Sequence, residues 1–577
     1  MIKEISITNR DFWDHLPKEI KAEVIKEGEE VSSLSWSDIP LSLYEEFSHT
    51  GDREHFQSVY FEKRKRLGTL ILAEACENKG TFIRSIKDGI WSLISEPAWV
   101  IPAHNSYIRD TPQLPLPLLE KPILDLFACE TGEILSLALA IIKPSIEKEL
   151  SEDIKYVLRE RIIKPYLNSD FWWMGTLGGK LNNWSVWCTQ NVLLALLSAN
   201  VSEEDKARVI RKAEKTISLW LDEYGDDGCC DEGASYYHAA GLCLWGCLYI
   251  LSGFNDNFKI EDEKIKNIAS YIEKVHVADD IYLNFADCSP KAGALGAREY
   301  MFAKATGNEE MMNHAAIDFK KSGIHESDNN YNLFYRLLAL KCSSEILSYE
   351  THKPKTKESF VDFRSVGITI YRDKDITLAV KSGCNDDSHN HNDTGSITLY
   401  KGSKPLLIDI GVETYTKTTF SPDRYTLLPM QSFYHNVVNF PPYGQVAGSE
   451  YKATDVKAER SGIRMELSLA YDKKANVKRY IRELTSPEDG IIFIHDAVIA
   501  GEKPTLTLMT VEKPIIEGNR FIFPSFTITF DGMSKAVCEE FPVTDARLRL
   551  AWPSMLYRNL ISFDNILNWR IDIKNEN

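Results

Sequence analysis

The stretch SHNHNDTGSITLYKGSKPLLIDIGVETY, residues 388–415, decides how the chain is read, together with FSPDRY at 420–425 and SFYHNVVNF at 432–440. Its apolar residues fall into two short runs, Ser396–Lys401 and Lys404–Ile410, parted by Gly402-Ser403, which is the pattern of strands joined by a turn. His389 and His391 stand two residues apart, so an extended strand would point both imidazoles the same way. Asp409 follows His391 by 18 residues, and His435 follows Asp409 by 26. Two neutral imidazoles and a carboxylate on neighbouring strands can make a three-ligand site for zinc or a similar divalent ion. The same residues also suit a solvated polar face, and no short metal signature such as HExxH is present.

The period-two pattern continues on both sides of this stretch. Val366–Arg372, Ile376–Ser382, Ile463–Ala470, Lys478–Leu484, Gly490–Ala497, Pro504–Val511, Arg520–Phe523 and Phe526–Phe530 read as further strands between Gly, Asp, Asn and Pro breaks. Short strands without long intervening helices predict an antiparallel sandwich or stacked sheets. Upstream of the polar segment THKPKTKE, 351–358, the period is helical. Helices are predicted at Phe61–Asn78, Phe82–Ser95, Lys121–Ile142, Glu152–Lys164, Trp184–Ala199, Ser202–Tyr224, Ser235–Ser252, Glu261–Val275, Ala297–Ala305 and Asn332–Ser348. The expected organisation is multi-domain α+β: a lead-in over 1–60, a helical domain over 61–352 and an all-β domain over 359–577.

With 577 residues, 44% apolar and 26% charged, the chain is long enough for two cores. A net charge of -17 argues against nucleic acid as the main partner. It leaves room for an anionic substrate in a locally basic pocket. No stretch has the length and apolarity of a membrane span or a signal peptide, and eleven scattered cysteines without a CxxC pair suit free thiols. A cytoplasmic location is therefore expected, or a periplasmic one if a leader has been trimmed. The oligomeric state is left open, a homodimer included.

Three segments of the helical half are too polar and aromatic for plain core: PAWVIPAHN at 97–105, FWWMGTLGGKLNNWSVWCTQN at 171–191 and DDGCCDEGASYYHAAG at 226–241. An asparagine opening a helix serves equally as a plain N-cap, and buried tyrosines usually pack. Arg424, between two of the candidate ligands, is either a surface arginine or a binder of carboxylate or sulfate.

NNW, DEGxxYYH and HNHND followed by LLIDIG and HN together resemble the heparinase II/III-like polysaccharide lyases, over about residues 60–530. The resemblance implies an (α/α) toroid, an incomplete helical barrel, followed by an antiparallel β-sandwich, with a catalytic cleft between them. It implies metal ligation by His391, Asp409 and His435, with zinc the first expectation and manganese the second. It implies that His389 faces substrate, that Asn183 contacts a uronate carboxylate, and that Tyr237 or Tyr236 is the catalytic tyrosine. Tyr237 is preferred because His238 follows it. Asn182, Trp184, His104, His238 and Arg424 complete the expected substrate contacts. The implied reaction is β-elimination on uronic-acid chains, glycosaminoglycans first and alginate-type polyuronides second. The competing expectation is a glycoside hydrolase on a helical toroid, with Asp231 and Glu232 as its carboxylates.

Overall fold

The computed structural model describes residues 4–109, 111–324 and 331–574. The chain divides into two compact units. The first takes the chain up to Tyr224 with His238–Ala269 and Gly293–Pro354; the second takes Gly225–Tyr237, Ser270–Ala292 and the chain from Lys355 onward.

The first unit is helical. Its central helix, Leu126–Ile142, is buried along almost its whole length and is capped by Asp125, whose side chain accepts from the Ala128 N–H. Glu54–Glu77, Lys148–Leu158, Asn183–Leu196 and Leu333–Ser348 all pack on it, so the last helix of the unit returns to the first half of the array. The segment read as a lead-in carries helices Lys18–Ser32 and Leu41–Thr50, and the first of these packs on Glu54–Glu77 through Ile20 and Val24.

Three helical expectations differ in detail. The helix predicted at 152–164 starts at Lys148 and passes through a π-turn, Arg159–Ile163, into Lys164–Asn168. Pro165 has no N–H to donate and forces that local rearrangement. Ser235–Ser252 is not one helix: Ala234–Tyr237 and Gly241–Leu251 are separate, so the two tyrosines sit on a single isolated turn. Glu309–Ser322, not predicted, is a helix capped by Asn308.

The second unit is a β-sandwich. One sheet is a five-stranded antiparallel meander: Phe360–Phe363, Ile368–Asp373, Ile376–Lys381, Ile397–Lys401 and Lys404–Leu407. The larger sheet orders Thr454–Glu459, Gly462–Glu466, Arg479–Thr485, Ile491–Ile499, Met555–Ile573, Phe526–Pro542, Arg520–Ile522 and Ile515–Glu517, with Thr505–Thr510 pairing both Met555–Ile573 and Val438–Asn439. A single apolar cluster joins Leu378, Val380 and Leu399 of the first sheet to Ile494, Leu506, Phe530 and Ile561 of the second, so the sheets face one another across a shared core. Along Ile491–Ile499 buried and open positions alternate, as a half-covered strand requires.

Candidate active site and metal centre

The HNHND segment is not a strand. Ile397–Lys401 begins only after it, and His389 has φ 57°, a left-handed backbone unusual for a residue with a side chain. The two imidazoles therefore do not line one strand face as the spacing suggested. His391 instead turns inward to meet Asp409, just past the end of Lys404–Leu407, and His435, just past the turn Ser432–Tyr434. One ligand-capable atom from each of the three lies within 4.8 Å of the others, and all three residues are buried.

The outer partners of this set fix which atoms face inward. His391 Nε2 bonds Asp287 Oδ1 at 3.0 Å, and His435 Nε2 donates to the Pro429 carbonyl at 2.8 Å. Both lone pairs are thereby left on Nδ1. His391 Nδ1 is buried without a hydrogen-bond partner among the described residues, and His435 Nδ1 faces Asp409 Oδ2 at 3.2 Å. Burial holds the His391 imidazole below its ordinary pKa, which favours the neutral, ligating form. Burial acts against the Asp409 carboxylate, but His435, His391 and the Gly411 N–H together hold its pKa below the ordinary value, and in the absence of an ion Asp409 in turn raises that of the buried His435. Two imidazoles with oriented outer nitrogens and one ionised carboxylate fit a divalent ion of the zinc type.

Beside this set lies a second cluster within the same unit. The Tyr236 ring stacks on His389 with centroids 4.5 Å apart, and its hydroxyl makes a very short hydrogen bond with the Tyr415 hydroxyl. Tyr415 donates to Asp287 Oδ2 at 3.1 Å, and the Arg547 guanidinium lies over its ring. His389 is held at both nitrogens, Nδ1 to Asp287 Oδ2 at 2.8 Å and Nε2 to Glu232 Oε2 at 3.3 Å. Burial disfavours its charged form, yet the Tyr236 phenol and the two carboxylates together raise its pKa well above the ordinary histidine value. His389 keeps a partly open face, as Tyr236 does, whereas Tyr237 is fully buried with its ring 6.0 Å from that of Tyr271.

Arg424 is buried, and its donors go to Asp287 Oδ1 at 2.6 Å and to the carbonyls of His389, Asn390 and Thr419. That is neither a surface arginine nor one with a guanidinium face turned outward for a substrate anion. Asp231 accepts from the Ser388 N–H at 3.4 Å, and Glu232 is pinned against His389, so these adjacent carboxylates are tied to one loop. Opposed acids with room for a sugar bond between them would need another geometry.

The remaining expected residues belong to the helical unit. Asn182 is the N-cap of Asn183–Leu196, accepting from the Trp184 N–H at 3.1 Å, which matches the plain capping alternative. Asn183, the first residue of that helix, is buried. Trp184 packs 4.7 Å from His104 and 5.0 Å from Trp172, and His104 Nδ1 bonds Asp125 at 2.9 Å. These rings pack against one another as an aromatic patch. His238 is paired with Glu299 at 2.9 Å and Arg298 donates to its carbonyl, so it is bound into the helical core.

Asp287, Tyr415, Arg547 and Pro429 were not singled out from sequence. Asp287 lies in NFADCSP, between a buried apolar run and a loop, where no spacing marks it. Ala286 before it has φ 56°, so the backbone is also left-handed on this side of the cluster.

The described residues thus form a helical unit and a β-sandwich unit, and the latter carries a buried His-Asp-His set beside a Tyr–His cluster. Residues 355–537, within the β domain, match the family model described as "Heparinase II/III-like, C-terminal". No curated protein matches the chain by sequence. Among solved structures, a heparinase III gene product is similar at TM-score 0.60 and 13% identity, covering 100% of this chain and 86% of that one. A heparan sulfate lyase mutant from Pedobacter heparinus is similar at TM-score 0.56 and 10% identity, covering 97% and 84%. A chondroitin AC lyase from Streptomyces coelicolor, in complex with chondroitin sulphate, is similar at TM-score 0.56 and 9% identity, covering 97% and 79%. At these identities the likeness is one of fold.

Proposed function

We propose that this protein is a polysaccharide lyase that cleaves uronic-acid-containing chains by β-elimination, with glycosaminoglycans the first substrate class and alginate-type polyuronides the second. The observation that carries the reading is the Tyr236–His389–Asp287 cluster next to the His391, Asp409 and His435 set, on a domain matching the heparinase II/III-like family. The structural neighbours, a heparan sulfate lyase and a chondroitin AC lyase among them, support the substrate class.

The chemistry sets the demands on the site. A base removes the C5 proton, the electron pair forms the C4=C5 bond, and the C4–O bond breaks as an acid protonates the leaving oxygen. Hydrogen bonding to the uronate carboxylate stabilises the charge that develops next to C5, and Asn183 is assigned to it. A histidine gripped by two carboxylates is a cationic donor in the resting state, so His389 is suited to steady a phenolate or a developing anion. The phenol is then the group that carries the proton. Geometry favours Tyr236, in contact with His389; the resemblance favours Tyr237. A zinc- or manganese-type ion held by His391, Asp409 and His435 would add a fixed positive charge tying three loop segments together.

The test follows ultraviolet absorbance of the 4,5-unsaturated uronate during incubation with heparan sulfate, chondroitin sulfate, hyaluronan and alginate, as polymers and as oligosaccharides. Absorbance is expected to rise with at least one glycosaminoglycan and to be lost in His389→Ala. Whichever of Tyr236→Phe and Tyr237→Phe loses more kcat identifies the acid. New reducing ends without any rise in absorbance would move the protein to the hydrolases.

A further inference from the structure

Asp287 has no exposed surface, yet it accepts from four groups on three separate segments. Oδ1 takes His391 Nε2 at 3.0 Å and Arg424 Nη2 at 2.6 Å; Oδ2 takes His389 Nδ1 at 2.8 Å and the Tyr415 hydroxyl at 3.1 Å. Four donors occupy the roughly four lone-pair sites of one carboxylate.

The two histidine bonds have different consequences. By accepting from Nε2 of His391, Asp287 fixes the tautomer that turns Nδ1 toward Asp409 and His435. By accepting from Nδ1 of His389, it turns Nε2 toward the buried Glu232. The backbone takes left-handed conformations at both Ala286, φ 56°, and His389, φ 57°, to bring these residues together. Such conformations persist only where the surrounding structure insists on them.

We infer that Asp287 is a positioning residue shared by two sites: one carboxylate aims both the metal-ligating His391 and the substrate-facing His389, so that metal affinity and turnover depend on the same side chain. This inference rests on the proposed metal and lyase reading and adds a coupling between its two halves. Asp287→Asn is nearly isosteric but replaces one acceptor oxygen with a donor. It can therefore serve at most one of the two histidines in the observed geometry.

The experiment measures zinc and manganese affinity by competition with a chromophoric chelator, alongside kcat and KM on the best substrate of the lyase panel. Asp287→Asn is expected to weaken metal binding about 10–100-fold, as loss of an outer partner to a ligating histidine does. At saturating metal its kcat is expected to stay at least tenfold below wild type, with KM within threefold. Asp287→Glu keeps the charge and displaces it, and is expected to recover part of the metal affinity; it carries the test if the Asn variant does not fold. Metal affinity equal to wild type in both variants overturns the inference, whatever the activity. Full recovery of kcat once metal saturates also overturns it, because Asp287 would then serve the metal alone. A wild type that binds metal but is inactive on every substrate, with affinity still lost in Asp287→Asn, supports the metal half and removes the lyase reading separately.

Discussion

Replacing Arg482 by Met tests how the sandwich core holds the site loops. Arg482 and Asp496 face each other across neighbouring strands, both with zero exposure. Arg482 Nε and Nη2 donate to the Asp496 carboxylate at 2.7 and 3.2 Å, while Nη1 donates to the carbonyls of Gly395 at 2.7 Å and Asn436 at 2.9 Å. Gly395 lies in the loop that carries His389 and His391, and Asn436 follows His435. Met fills the space but leaves Asp496 buried with, among the described residues, the Tyr480 hydroxyl and the Trp569 N–H as its remaining side-chain donors. Breaking a buried pair from one side costs about 3–5 kcal/mol. At roughly 2–4 °C per kcal/mol for a domain of this order, the melting transition of the β unit should fall by roughly 6–20 °C. Scanning calorimetry of the full chain reads it. The double variant Arg482→Met with Asp496→Leu should regain most of the loss, since two apolar residues leave no buried charge. A fall of less than about 2 °C in the single variant, or a double variant no better than the single, would refute the reasoning.

Two further outcomes are expected. Wild type should carry one zinc or manganese per chain by elemental analysis and melt higher with metal than after chelation, by about 2.7 kcal/mol at a hundredfold excess over Kd; His435→Ala should show neither, and a wild type indifferent to both metals would sink the metal reading. Glu130 is buried in the helical unit, where desolvation lifts its pKa to about 7 despite donors from Trp187 and Asn332. Because the folded pKa is the higher one, its stabilising effect is complete below about 4.5 and is lost as pH rises through 7. Near pH 8 the ionised group costs on the order of 3 kcal/mol, so Glu130→Gln should raise the melting temperature at pH 8 more than at pH 5, and an equal effect at both would refute the assignment.

Much of the fold was legible because its elements follow their own periodicities. Ile491–Ile499 alternates as a half-buried strand should, and Glu203–Glu223 begins with Ser202 accepting from the Asp205 N–H. The longest strand, Met555–Ile573, was missed because Arg558, Asn559, Asp564, Asn565, Asn568 and Arg570 dilute its apolar positions, while its long partner Phe526–Pro542 supplies the pairing. In the site, His391, Asp409 and His435 were legible as residue types at strand spacing. Asp287 was not, because its meaning comes from residues more than a hundred positions away: it is 102 from His389 and 137 from Arg424. The side chain direction of His389 was misjudged because alternation along a strand fails where φ turns positive.

Asn436 shows why the metal set does not need the metal in order to exist. Its amide nitrogen donates to the carbonyls of Ile397 at 2.6 Å and Ile408 at 3.0 Å, and its carbonyl oxygen accepts the Met509 N–H at 2.7 Å. One buried side chain thus ties the strand after His391, the residue before Asp409 and a strand of the opposite sheet to the residue next to His435. Each such bond contributes about 1 kcal/mol net, and leaving any partner unsatisfied costs more. The three ligand-bearing segments are therefore held together by protein alone, and an ion entering among them need not organise the chain first. On the proposed metal reading, affinity would then be set by ligand chemistry and by the outer partners Asp287 and Pro429. It follows that removing metal should lower the melting temperature of the β unit without unfolding it, whereas removing the Asn436 amide should loosen the ligand set even with metal in excess.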